Sequence, residues 1–184
     1  MLRPQDILVS LKFLTPSTEA RSNYAALAES LAMSASETHA AVRRAIRSGL
    51  LIPSSTQPDA LLKIRPSAPT LSELLCYGVR YFLPAETGRF SAGIPTAASA
   101  PPLSALLSPS DSPPHVWAHP RGGVRGLAVE PLYPSAPDAA LRDPMLAEWL
   151  ALTDAFRLHT GRVAELARNE VRRRLRELTH AIAA

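Results

Sequence analysis

Proline is distributed very unevenly along this chain, and twelve of its 18 prolines fall between Pro84 and Pro144. Proline lacks a backbone N–H and fixes its own φ, so no long regular helix can run through that stretch. The stretch nevertheless contains side chains too apolar to be left in water. These are Trp117, Val124, Leu127, Val129, Leu132 and Tyr133. The sequence therefore predicts an irregular but packed segment over residues 84–142, with a hairpin-like turn at Arg121-Gly122-Gly123.

Apolar residues recur at helical spacing in six segments outside that stretch. The segments are residues 4–14, 23–31, 34–48, 71–83, 144–159 and 162–182. The first four lie before the proline-rich segment, and the last two form a C-terminal pair of amphipathic helices. Asn23 and Thr70 are the expected N-caps of the second and fourth helices.

The segment 34–48 has the clearest helix signals in the chain. Ser34 and Glu37 form a capping box, in which each side chain accepts from the other residue's backbone N–H, and Gly49 is a natural C-terminal stop. Only Ala32 and Met33 separate this helix from the one before, so the two must cross at a steep angle. The pattern predicts a helix-turn-helix. Leu50-Leu51-Ile52 and residues 60–65 then read as two short strands around a turn, which would form a wing.

The run NYAALAESLAMSASETHAAVRRAIRSGLL resembles the core of bacterial winged helix-turn-helix transcriptional regulators of the MarR-like type. Such proteins have an aromatic-led helix, a short cap, an arginine-bearing recognition helix and a terminal "GLI" that leads into the wing. The resemblance covers about residues 5–66 and departs from the pattern at Ala32, where glycine is usual, and at Ala45, where a larger aliphatic residue is usual. It implies a homodimer that places helix 34–48 in the major groove of double-stranded DNA.

Helix 34–48 separates into two faces. Thr38, Ala41, Val42, Ala45 and in part Ile46 would point inward. Arg43 is the expected base contact, because its two donors match O6 and N7 of guanine. The full set of predicted DNA contacts is Ser36, His39, Ala40, Arg43, Arg44, Arg47, Lys63 and Arg65. In this set Arg44 and Arg47, with Lys63 and Arg65 at the base of the wing, would meet phosphates. The alternative is an ordinary solvated helix face.

Charge is consistent with an anionic partner. The net charge is +4, and 18 of the 20 cationic side chains are arginine, whose planar group suits phosphate and carboxylate. A GC-rich genome would produce the same bias. Arg172, Arg173, Arg174 and Arg176 in the last helix have three interpretations: a dimerisation helix that extends the DNA footprint, a surface that docks another protein, or surface pairs with the interleaved glutamates.

Several classes of protein find no support in the sequence. A single cysteine, Cys76, excludes an internal disulfide and a cysteine-cluster metal site, and it is expected to be inert. His115 and His119 are four residues apart among prolines, so we expect no metal there. No nucleophile elbow, Walker loop, dinucleotide fingerprint or zinc-protease motif occurs, so we expect no cofactor and no catalytic residues. No run approaches the length needed to cross a bilayer, so the expected location is the cytoplasm, without membrane contact.

The expected fold is α+β and mainly helical, in four parts. They are a winged helix-turn-helix over residues 1–66, a connecting helix over 67–83, the proline-rich segment over 84–142, and C-terminal helices over 143–184. The expected function is sequence-specific DNA binding as a transcriptional regulator. The alternative is a protein-interaction adaptor or antitoxin-like module that binds a partner protein through residues 143–184.

Overall fold

The computed structural model describes residues 1–54, 61–108 and 112–183. The fold is α+β and mainly helical, as predicted. Its N-terminal third consists of three helices followed by a two-stranded antiparallel sheet. These elements are α1 (Pro4–Lys12), α2 (Tyr24–Ser30), α3 (Ala35–Arg47), β1 (Leu51–Pro53) and β2 (Ile64–Pro66). The predicted positions of the three helices are confirmed.

Polar side chains begin α2 and α3 as the sequence predicts. The Asn23 side chain accepts from the Ala26 N–H at 2.9 Å, and Ser34 Oγ accepts from the Glu37 N–H at 3.2 Å. The prediction that the Glu37 side chain accepts from the Ser34 N–H is wrong, because the Glu37 carboxylate accepts from the Tyr133 hydroxyl instead. Gly49 adopts φ +74° after α3. Between α2 and α3, Ala32 takes a φ of 51°, a left-handed conformation that glycine adopts more readily than alanine.

The strands β1 and β2 pair in the register Leu51↔Pro66, Ile52↔Arg65 and Pro53↔Ile64. The second strand is shorter than predicted, because Leu61–Lys63 forms a turn of 3₁₀ helix before it. Most of the predicted turn lies outside the described residues, at 55–60.

One helical segment follows β2 and is interrupted by a π-turn. Its parts are α4 (Ala68–Glu73), the π-turn Leu74–Gly78 and α5 (Val79–Phe82). The segment starts before the predicted cap Thr70: Ser67 is the N-cap residue, and the two hydroxyls lie 2.8 Å apart. The π-turn ends at Gly78, and such turns locally interrupt the α-helical hydrogen-bond pattern.

The prediction of an irregular segment over 84–142 is wrong, because the segment contains a small sheet. Its strands are β3 (Thr87–Pro95), β4 (His115–Ala118) and β5 (Val124–Val129), and each pairs with the other two. Since β4 and β5 run parallel to each other, Arg121-Gly122-Gly123 does not form a hairpin turn. A 3₁₀ turn (Ala97–Ser99), α6 (Leu103–Leu106) and α7 (Ala136–Arg142) complete the segment. The prediction that it is packed is confirmed, since Trp117 and Val129 are buried.

The chain ends in the two predicted helices, α8 (Pro144–Leu158) and α9 (Gly161–Ala183). α8 lies inside the molecule, with every residue from Trp149 to Arg157 buried. Among the described residues, no helix combines the length and apolar character needed to cross a membrane.

The N-terminal third shares its core with the rest of the chain. Buried residues of α1, α3, α8 and α9 belong to one hydrophobic cluster. Polar contacts join the same parts: Lys12, which is 3% exposed, binds Asp143 at 2.6 Å, and Ser135 Oγ donates to the Leu31 carbonyl at 2.7 Å. The C-terminal half therefore supports α1 and the turn between α2 and α3.

Candidate nucleic-acid interface

The helix α3 has one buried face and one open face. Thr38, Ala41, Val42 and Ala45 are buried, as predicted. On the opposite face Ser36, Arg43 and Arg47 are exposed, while His39 and Ala40 are half-buried. The imidazole of His39 meets the ring of Tyr24 edge-on, with centroids 4.7 Å apart, which ties it to α2. The open face therefore begins with small side chains and ends with two arginines.

The structure places Arg44 away from that face. Its guanidinium lies on the Asp6 carboxylate, with Nε 2.9 Å and Nη2 2.7 Å from Oδ1. Asp6 is completely buried and also accepts from the Arg3 backbone N–H. The hydrogen bond with Asp6 raises the pKa of Arg44. Arg44 therefore fastens α3 to α1, a role that the outward-facing pattern did not reveal.

Glu37 forms a second contact that holds α3 in place, in this case with the C-terminal half. The Tyr133 hydroxyl donates to its Oε1 at 2.5 Å, and Gln5 Nε2 lies 3.4 Å from the same oxygen. The hydrogen bond with Glu37 raises the pKa of Tyr133 to about 12. These contacts lie on the side of α3 next to α1, and on its outer face Ser36, Arg43 and Arg47 remain exposed.

The two predicted cations of the hairpin are also exposed. Lys63 ends the 3₁₀ turn before β2, and its carbonyl accepts from the Ser54 N–H at 2.7 Å. Arg65 stands opposite Ile52 in the sheet and donates from Nε to Ser54 Oγ at 3.0 Å. Because β1 follows α3 after a short turn and packs against it, the hairpin is held next to α3.

Chemically, the open face of α3 supplies hydrogen-bond donors on a rigid element. Arg43 and Arg47 make no ion pair with any described residue, so their charges are available to an anion or to base edges. Arginine is the side chain that binds guanine in the major groove most often. Sequence reasoning missed Asp6 and Tyr133, which hold this helix in place. Their partners are 38 and 96 residues away, and no local pattern signals such contacts.

The most deeply buried polar cluster lies elsewhere and is satisfied internally. Asp154 accepts from Thr96 at 2.8 Å, Trp117 Nε1 at 2.7 Å and Arg157 at 2.6 Å. Burial raises the pKa of its carboxyl, and Arg157 opposes that effect. Because Trp117 belongs to β4 and Asp154 and Arg157 belong to α8, these hydrogen bonds join β4 to α8.

The described parts of the chain offer little support for a reactive cysteine or a metal site. Cys76 is buried, and burial raises the pKa of its thiol, as expected for an inert cysteine. No group of three metal-ligating side chains is present there.

Comparison of the chain with protein-family models, with curated proteins and with solved structures finds no match.

Proposed function

We propose that this chain is a DNA-binding transcriptional regulator with a winged helix-turn-helix in its first 66 residues. The observation that carries the proposal is the uncovered face of α3, on which Arg43 and Arg47 stand without carboxylate partners among the described residues. A helix with its other side buried and a small, polar beginning fits the major groove. The hairpin β1–β2, with Lys63 and Arg65, would act as the wing.

The roles of the side chains follow from their positions. Arg43 reads a base edge near the middle of α3, with Ser36, His39 and Ala40 beside it. Arg47, Lys63 and Arg65 contact phosphates. Arg44 contributes by fixing the orientation of α3 through Asp6, and it has only part of its guanidinium left for a phosphate. A homodimer would present two such helices to a palindromic site.

A selection from random duplexes tests the proposal. Full-length protein is incubated with a pool of duplexes that carry a randomised central region, and bound DNA is amplified and sequenced over several rounds. We expect a consensus that contains guanine, and a two-fold repeat if the protein binds as a dimer. With Arg43→Ala the preference at one position of each half-site should disappear. A pool that stays random with the wild-type protein would overturn the proposal.

A protein-interaction adaptor is the second candidate, and one observation favours it. Four aromatic side chains of the helical segment and β3 are at least 41% exposed: Tyr77, Tyr81, Phe82 and Phe90. Exposed aromatic residues are enriched at protein interfaces. Since residues 149–157 of α8 are buried, a partner surface within residues 143–184 would lie mainly on α9, where Arg172 contacts Tyr77 of this aromatic group. If the full-length protein fails the DNA selection but forms a defined complex that Tyr81→Ser abolishes, the adaptor is favoured.

A further inference from the structure

The arginines of α9 fall into two groups with different surroundings. Arg173 lies 2.7 Å from Glu170 and 2.6 Å from Glu177, and Arg174 pairs with Glu148 and Glu170. These two arginines are neutralised by carboxylates, as the surface-pair interpretation predicts. Arg172 and Arg176 are different, since neither makes an ion pair with a described carboxylate. The described hydrogen bond of Arg172 is to the neutral Tyr77 hydroxyl, at 2.5 Å.

Arg172 and Arg176 line a groove between α9 and the start of α4. The groove has a volume of about 430 Å³. Its walls are Ala68, Pro69, Ser72, Arg172, Leu175, Arg176, Thr179 and His180. Residues 172, 176 and 180 follow one another at intervals of four, which places them along one side of the helix. Three nitrogen-bearing side chains thus form a row in the groove.

This groove continues to the hairpin. A second cavity of about 340 Å³ shares Ala68, Pro69 and Thr179 with the first one. It also reaches Ile52 of β1 and Arg65 of β2. We call the two together the basic groove. Among the described residues that line it there is no Asp or Glu, and its cations are Arg65, Arg172 and Arg176.

The other side of α9 provides a comparison within the same molecule. The cavity there is lined by Glu148, Arg173, Arg174 and Glu177, so its charges are mixed and paired. The basic groove differs in having cations without carboxylates among its described lining residues, and its hydrogen-bond donors are the guanidinium groups of Arg65, Arg172 and Arg176. Such a surface is complementary to a chain of repeated negative charges with hydrogen-bond acceptors.

We propose that the basic groove binds the sugar–phosphate backbone of the DNA that flanks the segment read by α3. The proposal rests on the proposed function, because Arg65 belongs both to the groove and to the hairpin that would contact the DNA. The groove extends the phosphate contacts from the wing along α9, with Arg172 held in place by Tyr77. An acidic protein or a second copy of this chain would be the competing occupants.

Duplex length and two matched variants test this assignment. The DNA is a selected core sequence, prepared once as a short duplex and once with long flanks. Arg172→Gln/Arg176→Gln removes two charges from the groove. Arg89→Gln/Arg162→Gln removes two charges outside the groove, from exposed arginines that make no ion pair with a described residue. Full-length proteins are compared by anisotropy titration at several salt concentrations, and circular dichroism with thermal melting confirms that each variant folds.

On the long duplex we expect the groove variant to lose affinity on the order of tenfold at low salt and to show a salt slope smaller by about 2. On the short duplex it should bind like the wild type, and the control variant should bind both duplexes normally. Equal behaviour of the two variants on the long duplex would overturn the groove assignment.

The controls separate this proposal from the proposed function. If Arg43→Ala weakens binding to both duplexes while the groove variant has no effect, only the groove assignment fails. If the wild type binds neither duplex, both proposals fail. A change in sedimentation of the groove variant with unchanged DNA affinity would assign the groove to a second copy of the chain and likewise overturn the proposal.

Discussion

Arg43 and Arg44 are neighbours in sequence, but their side chains leave α3 about 100° apart. One points to solvent and the other reaches the buried Asp6 carboxylate. The sequence shows two arginines on a helix that resembles a recognition helix, and it assigns both to DNA. The sequence could not show that the Arg44 guanidinium would bind Asp6, which lies 38 residues earlier.

The two arginines should therefore separate stability from binding. Arg44→Ala leaves the Asp6 charge buried without its partner, and we expect a loss of about 3 kcal/mol in the free energy of unfolding. Arg43→Ala should change that free energy by less than about 0.5 kcal/mol, because its side chain is solvated. Urea titration followed by circular dichroism measures both. Equal stability of the two variants would contradict the role given to Asp6.

Ala32 offers a second test at this scale. Its φ of 51° is a left-handed conformation that a Cβ disfavours, and the family that the segment resembles usually has glycine there. Ala32→Gly should raise the free energy of unfolding by about 1 kcal/mol. Gly49→Ala is the reverse change, at φ +74° with open space around the added Cβ, and should lower it by a similar amount. A stabilised Gly49→Ala variant would refute the argument.

Among the elements, the helices outside residues 84–142 were predictable, whereas α6, α7 and the sheet β3–β4–β5 were not. Asn23, Ser34 and Gly49 mark helix ends by local chemistry, so a single sequence suffices to place α2 and α3. The strand β3 reads TGRFSAGIP and is mostly exposed, so it lacks the apolar alternation that identifies a strand. Its partners lie on both β4 and β5, and that pairing depends on tertiary contacts alone.

Glycine is what permits these three strands to close on one another. A Cβ built on Gly126 would lie 2.0 Å from the Pro114 carbonyl oxygen, which is fixed backbone. Gly126→Ala should therefore cost about 3 kcal/mol or more, since the strands must separate. Gly123→Ala, where a Cβ meets nothing within 4 Å, is the control and should be nearly neutral. Thermal melting of both variants is the measurement, and a normal melting temperature for Gly126→Ala would disprove this packing.

At the scale of the whole molecule, the stability should depend on pH through two histidines that lie between elements. His115 begins β4 and His159 follows α8, with ring centroids 5.1 Å apart. Burial lowers the pKa of both, the charge of His115 lowers that of His159 further, and the Asp154 carboxylate partly offsets the effect on His115. The unfolded chain therefore binds more protons than the folded chain as the pH falls through about 6.5.

The free energy of unfolding is highest above about pH 7.5 and falls as the pH drops through 6.5, because protonation favours the unfolded chain. Urea titrations between about pH 8 and pH 5 should show this decline in the wild type and a flatter profile in His115→Gln/His159→Gln. Parallel profiles of the two proteins would show that these histidines do not carry the pH dependence.

The shared core also bears on the proposed function. Tyr133 and Ser135 contact α3 and the turn before it. The C-terminal half therefore sets the position of the helix that would enter the major groove of DNA. The resemblance over residues 5–66 predicts that helix but says nothing of its support. A change in the C-terminal half that disrupted these contacts would therefore alter the orientation of α3.

An anisotropy titration of full-length protein tests the DNA-reading role of α3 most directly. It compares a selected duplex with a shuffled duplex of the same composition, between about 50 and 200 mM salt. We predict binding to the selected duplex that is about a thousandfold tighter, with a steep negative salt dependence, and a loss of about 1–3 kcal/mol of that preference per half-site in Arg43→Ala. Weak binding that is equal for the two duplexes at every salt concentration would contradict the DNA-reading role of α3.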